Sequence, residues 1–116
     1  LADNLDLTAV TDASKDSGVA HGELLIRFAE AVLGNNEIGL ETARDIVRQE
    51  ILTELGPEAL VDAAGVVATF MQMVRIADST GIAVVGPMLE KSSDFRTELG
   101  LNAYGSAQNT LGRTAA

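Results

Sequence analysis

The fold is decided by the stretch Leu60-Val-Asp-Ala-Ala-Gly-Val-Val-Ala-Thr-Phe-Met-Gln-Met-Val-Arg-Ile-Ala-Asp-Ser-Thr-Gly81. Its side chains are apolar around almost the whole circumference of a helix, and such a helix must be surrounded by protein or lipid. The apolar run covers only Ala63 to Met71, with Thr69 inside it, far short of the roughly 18 residues that a membrane span needs. We therefore expect the central helix of an all-α core and no membrane partner.

Two further helices are predicted upstream of this stretch. The first runs from about Val19 to Leu33, with Ser17 as its N-cap and an i,i+4 pair between Glu23 and Arg27. The second covers Leu40 to Leu55 and carries an apolar stripe formed by Leu40, Ala43, Val47, Ile51 and Leu55 and widened by Ile46 and Leu52.

Glycine and proline mark the ends of these elements. Gly34-Asn35-Asn36 is expected to end the first helix, and Gly56-Pro57 to end the second and begin the third. The third helix then covers Pro57 to about Thr80, and Pro87 starts a fourth over Met88 to Leu99 with Gly100 after it. Leu89 and Phe95 are expected to face inward.

The predicted organisation has three parts. Residues 1–18 form a polar arm with at most one short helix, residues 19–100 form one α-helical domain, and residues 101–116 form an extension that docks loosely or packs on a neighbouring subunit. The fold class is a small all-α bundle of three to four helices, completed by oligomerisation, because so few helices cannot easily bury an apolar helix in a monomer. We predict a homo-oligomer held by the faces of helices 19–33 and 57–80.

Composition excludes several kinds of site. The net charge of −9, from 17 acidic and 8 basic residues, argues against nucleic acid, which requires a clustered positive surface. The chain has no cysteine, so disulfides and zinc-thiolate sites are excluded, in agreement with a cytoplasmic location. No phosphate loop or metal motif is present, and we expect no cofactor, no metal and no catalytic residue. No signal peptide is visible at the start of the chain.

Arg75 and Asp78 are the two candidate site residues, because they are charged residues on a helix that is otherwise apolar. At i,i+3 they are expected to form an internal ion pair that fixes helix packing. The alternative is that Arg75 anchors an anionic ligand. The carboxylate pairs Glu41/Asp45 and Glu50/Glu54 lie on the polar side of their helix, where we expect a solvated face.

Phe70 and the run Arg75-Ile-Ala-Asp78 before Gly81, together with the upstream Leu24-Leu-Ile-Arg-Phe-Ala-Glu-Ala-Val32, resemble the C-terminal half of the carboxymuconolactone decarboxylase and alkylhydroperoxidase D-like family. The resemblance covers roughly residues 19–82. It implies a helical bundle that packs such helices across subunit interfaces.

The chain departs from this family at the catalytic motif. Alkylhydroperoxidase D-like enzymes use a Cys-x-x-Cys pair followed by a histidine, and their thiolate cannot be replaced by a hydroxyl. Ser14, Ser17 and His21 have the corresponding spacing, as a relic of that motif or simply as a turn and a helix start; we favour the turn.

Two functions remain open. The first is a non-catalytic helical oligomerisation module. The second is part of a thiol-dependent peroxidase or a lactone decarboxylase whose catalytic residues come from an upstream segment or a partner chain. The chain begins at Leu1 rather than Met, which leaves a processed or partial product open.

Overall fold

The computed structural model describes residues 4–34 and 40–114. Within these ranges the chain forms α-helices and 3-10 helices and no strand, which confirms the predicted all-α class. The α-helices are α1 (Gly22–Leu33), α2 (Leu40–Glu54), α3 (Pro57–Thr80), α4 (Pro87–Lys91), α5 (Ser93–Glu98) and α6 (Gln108–Thr114). The chain divides into two compact units, Leu1–Met71 and Gln72–Ala116.

The core of the first unit lies between α1 and α2. Helical spacing brings six buried side chains together there, namely Leu24, Phe28 and Ala31 from α1 and Ala43, Val47 and Ile51 from α2. Ala31 and Ile51 are completely inaccessible to solvent. The apolar stripe of α2 is narrower than predicted, because Ile46 is 46% exposed and contributes nothing to this core.

The start of α1 differs from the prediction. His21 has a left-handed backbone with φ of 56°, so α1 begins at Gly22 rather than near Val19. Ser17 was expected to be the N-cap, and this was wrong. Its hydroxyl accepts the N–H of Val19 at 3.2 Å and closes a turn four residues before the helix-capping position at His21.

The ends of α1 and α2 follow the glycine signals. Gly34 has φ of 94° and its N–H donates to the carbonyl of Glu30 at 3.0 Å. Gly56 has φ of 90° and its N–H donates to the carbonyl of Ile51 at 3.0 Å. Only glycine adopts this left-handed region without a steric penalty. Pro57 then begins α3, because a proline at the first helical position lacks only an N–H that would be unpaired there.

Helix α3 has the predicted bounds but not the predicted surroundings. In the first unit only Leu60, Ala63 and Val67 pack, partly buried, against the α1/α2 core. None of its 24 residues is fully buried. It is therefore not the central helix of this chain.

In the second unit, the predicted helix over residues 88–99 is interrupted. Ser92 separates α4 from α5 and caps both helices. It is buried, with 4% of its surface exposed. Leu89 and Phe95 are half-buried, and Gly100, with φ of 68°, follows the end of α5 as expected. The segment after it contains the 3-10 helices Leu101–Ala103 and Gly105–Ala107 and then α6.

The N-terminal arm contains one short element, as predicted. The carboxylate of Asp6 accepts the N–H of Thr8 at 2.9 Å and caps the 3-10 helix Leu7–Val10. Thr8 and Ala9 are buried, so this segment packs on the unit to which it belongs.

Candidate interaction surface

The first unit exposes large apolar side chains along its part of α3. Val61 is 70% exposed, Val66 57% and Phe70 61%. Between them lie the small residues Ala64, Gly65 and Ala68, which are exposed as well. Apolar side chains scattered singly over a surface are ordinary, but a helix that carries them in succession usually marks an interaction site.

The second unit continues this pattern on its own part of α3. Met73, Val74 and Ile76 are each about half exposed, at 49%, 48% and 52%. The segment that follows the helix exposes Ile82, and Met88 of α4 is also exposed. Apolar surface is therefore present in both units.

By length and composition α3 also meets the requirement for a membrane span. It contains an 18-residue window with a mean hydropathy of 1.5, and none of that window is buried. The apolar core helix of an oligomer has the same properties, so length and composition do not distinguish protein from lipid as the cover.

Arg75 and Asp78 are both exposed, and neither forms an ion pair within residues 4–34 and 40–114. The expected internal pair is thus not formed in the single chain, and both side chains are exposed to solvent. The surroundings of the two residues also differ. Asp78 lines a cleft in the second unit, and Arg75 is not among the residues of that cleft.

Ser14, Ser17 and His21 do not form a catalytic group. Ser14 and Ser17 line a cleft of about 400 Å³ beside α1, where the Ser14 hydroxyl donates to Asp12 at 2.7 Å. His21 is not part of that lining, and its Nδ1 lies 3.5 Å from a carboxylate oxygen of Glu54. Ser14 and His21 lie in turns and Ser17 lies in the irregular segment between them, so none of the three belongs to a helix, which favours the turn interpretation.

The acidic side chains of these pairs on α2 contact basic side chains. Glu41 lies near Arg44 and Asp45 contacts Arg48, at i,i+3 in both cases. Glu54 is the carboxylate that lies beside His21. These contacts fit the expected polar face and leave no pair of facing carboxylates for acid-base catalysis.

Arg27 joins α1 to α2. Its Nη1 donates to Glu50 Oε1 at 3.1 Å, its Nη2 contacts Glu50 Oε2, and its Nε lies 3.6 Å from Glu23, the predicted i,i+4 partner. The hydrogen bonds from Arg27 lower the pKa of the Glu50 carboxyl, and the same bonds raise the pKa of Arg27. The bond across the two helices was missed, because sequence spacing shows only neighbours on one helix.

The hydrogen bonds of Arg96 were not predicted from the sequence either. Its Nε donates to the Ser92 hydroxyl, its Nη1 to Asn102 Oδ1 and its Nη2 to the carbonyl of Leu89, each at 2.9 Å. The i,i+4 spacing of Ser92 and Arg96 is visible in the sequence, but the contribution of the segment after Gly100 is not.

The part of the chain that the structure describes contains no group of three or more histidine, cysteine or carboxylate side chains that could hold a metal ion. No protein family, no curated protein and no solved structure matches this chain.

Proposed function

We propose that this chain is a non-catalytic α-helical oligomerisation module that resembles the C-terminal half of alkylhydroperoxidase D-like proteins. The observation that carries the proposal is the exposure of α3, in which no residue is fully buried. Leaving large apolar side chains such as Val61 and Phe70 in water favours association, since their burial is worth about 1.5–3 kcal/mol each.

A second copy of the chain is the cover that fits the charged residues of α3. Asp62, Arg75 and Asp78 lie on α3, and charged groups are costly inside a bilayer. At a helix interface between copies, such groups can stay at a hydrated rim.

The proposed interface uses α3 alone. The sequence suggested that α1 contributes a second face, but Leu24, Phe28 and Ala31 already pack against α2 inside the chain. Leu33, the last residue of α1, remains exposed. The apolar surface available to a partner is therefore concentrated on α3.

The proposal keeps the family resemblance as its source, because α1, α2 and α3 are the three helices over which the resemblance extends. The chain contains no cysteine, so the thiol cycle of the peroxidases has no nucleophile here. Oligomerisation is the property of that family which these residues can still provide.

The experiment compares Phe70→Glu with a matched control, Val10→Glu. Both residues expose about the same fraction of their surface, 61% and 54%, but only Phe70 lies on α3. Glutamate is a good helix former, so the change adds charge with little loss of helix propensity. We expect light scattering to find a wild-type oligomer, a Val10→Glu oligomer and a Phe70→Glu monomer, with circular dichroism showing equal helix content.

An oligomer that tolerates Phe70→Glu would exclude α3 as the interface. A monomeric wild-type chain that floats with vesicles of phosphatidylcholine and phosphatidylglycerol would show that lipid covers the helix instead.

A further inference from the structure

The second unit contains a cleft of about 290 Å³ at the end of α3. Its volume lies just below the roughly 300–1,000 Å³ found for small-molecule sites, which suits a small ligand. Its walls are mainly apolar and include Ile82, Val84 and Leu111. Two charged residues, Asp78 and Arg96, also line it.

The Arg96 guanidinium is held in place by neutral groups only. A hydroxyl, an amide oxygen and a backbone carbonyl accept its hydrogen bonds, and no carboxylate in residues 4–34 and 40–114 forms an ion pair with it. Three of the five N–H donors of an arginine are used in this way. The remaining donors and the whole positive charge are available to an anion, and a carboxylate is the planar partner that a guanidinium prefers.

Asp78 supplies the opposite charge in the same cleft. Its carboxylate has no hydrogen bond or ion pair within the described part of the chain, and it forms no pair with Arg96. A cleft with one unpaired charge of each sign and an apolar wall is complementary to a ligand that carries both charges and an apolar body. A dianion would be repelled by Asp78, and a simple cation by Arg96.

We propose that this cleft binds a free α-amino acid with an aliphatic or aromatic side chain. The ligand carboxylate pairs with Arg96, its ammonium group pairs with Asp78, and its side chain lies against the apolar wall. All lining residues lie between Ala77 and Leu111 of one chain, so no second copy contributes a residue to this site.

The test uses isothermal titration calorimetry with L-leucine and L-phenylalanine as probes. 4-Methylpentanoate and 3-methylbutylamine keep the leucine side chain but lack the ammonium group and the carboxylate, respectively. We expect at least one amino acid to bind, and each truncated leucine analogue to bind at least tenfold more weakly than leucine. Asp78→Asn should weaken amino-acid binding at least tenfold, whereas Asp94→Asn, an exposed aspartate outside the cleft, should leave it unchanged.

Arg96→Gln also removes three hydrogen bonds and so threatens the local fold. Ala107→Leu is a second variant, because it narrows the cleft without touching the arginine network. We expect Ala107→Leu to weaken binding at least tenfold. The proposal is overturned by any of three results: no heat from either amino acid at millimolar concentration, equal binding of leucine and its truncated analogues, or unchanged binding by Asp78→Asn.

Discussion

At the scale of single residues, Arg27 makes the predicted contact within its own helix and a second contact to α2. The i,i+4 partner Glu23 is expected from α1 alone, and it lies beside Nε at 3.6 Å. Glu50 of α2 takes the other two nitrogens. The guanidinium therefore bridges two helices at the border of the buried core.

The Glu50 carboxylate should make the stability of the chain depend on pH. Its pKa lies below the ordinary value of 4.5 because Arg27 donates hydrogen bonds to the ionised form. A carboxyl group with a lowered folded-state pKa adds stability above the unfolded-state pKa, and that stability is lost as the pH falls through the folded-state pKa. We expect the melting temperature of the wild type to fall below about pH 4.5 more steeply than that of Glu50→Gln.

Glu98→Gln serves as the control, because Glu98 is exposed and no ion pair to it is found in the described ranges. Its melting curve should follow the wild type at each pH. Parallel curves for the wild type and Glu50→Gln would show that the pair does not contribute to stability.

Ile51 is the residue at which the core should be most sensitive to truncation. It is completely buried between α1 and α2, so Ile51→Ala removes buried methyl groups and leaves a cavity. We expect a loss of about 2–5 kcal/mol in the free energy of unfolding, measured by urea denaturation. Ile46→Ala on the same helix, where the side chain is 46% exposed, should cost much less. Equal losses would contradict the placement of the core.

At the scale of elements, helix ends were easier to predict than helix neighbours. The bounds of α3 follow from Pro57 and from the polar residues before Gly81, and both signals act locally. The predicted burial of α3 depended on what packs against it, which no local signal specifies. The same limit applies to Ser92, where a buried serine that binds Arg96 divides a helix expected to be continuous.

Candidate site residues were predictable only as far as their chemistry is local. Arg75 and Asp78 were predicted from their charges on an apolar helix. In the structure, Asp78 lines the cleft of the second unit and Arg75 does not. The role of Arg96 was not predictable, because one of its three hydrogen-bond acceptors, Asn102, lies in the segment after Gly100. Tertiary contacts of this kind leave no periodic signal in the sequence.

Gly56, in the connection between α2 and α3, should be sensitive to substitution through its backbone conformation alone. Its φ of 90° is strained for any residue with a Cβ, although no atom lies within 4 Å of the position that a Cβ would occupy. We therefore expect Gly56→Ala to destabilise the chain by about 1–2 kcal/mol from backbone strain alone. Gly105→Ala is the control, because that position is equally open and has no positive φ, and it should be nearly neutral in thermal denaturation. A neutral Gly56→Ala would show that the α2–α3 connection has another conformation.

At the scale of the whole molecule, burial and hydrophobicity disagree. Apolar residues make up 47% of the chain, yet the buried apolar residues of the described ranges are few and lie in the first unit. The longest helix, α3, contributes no fully buried residue. The homo-oligomer that we propose would resolve part of this disagreement, because it would bury the apolar side chains that α3 exposes.

The mass of the wild-type protein in solution tests this claim most directly. Multi-angle light scattering over a dilution series should give a mass of at least twice 12.1 kDa at micromolar concentration, and dissociation of the subunits would lower this mass on dilution. A constant mass of 12.1 kDa across the series, with the helices intact, would contradict the account.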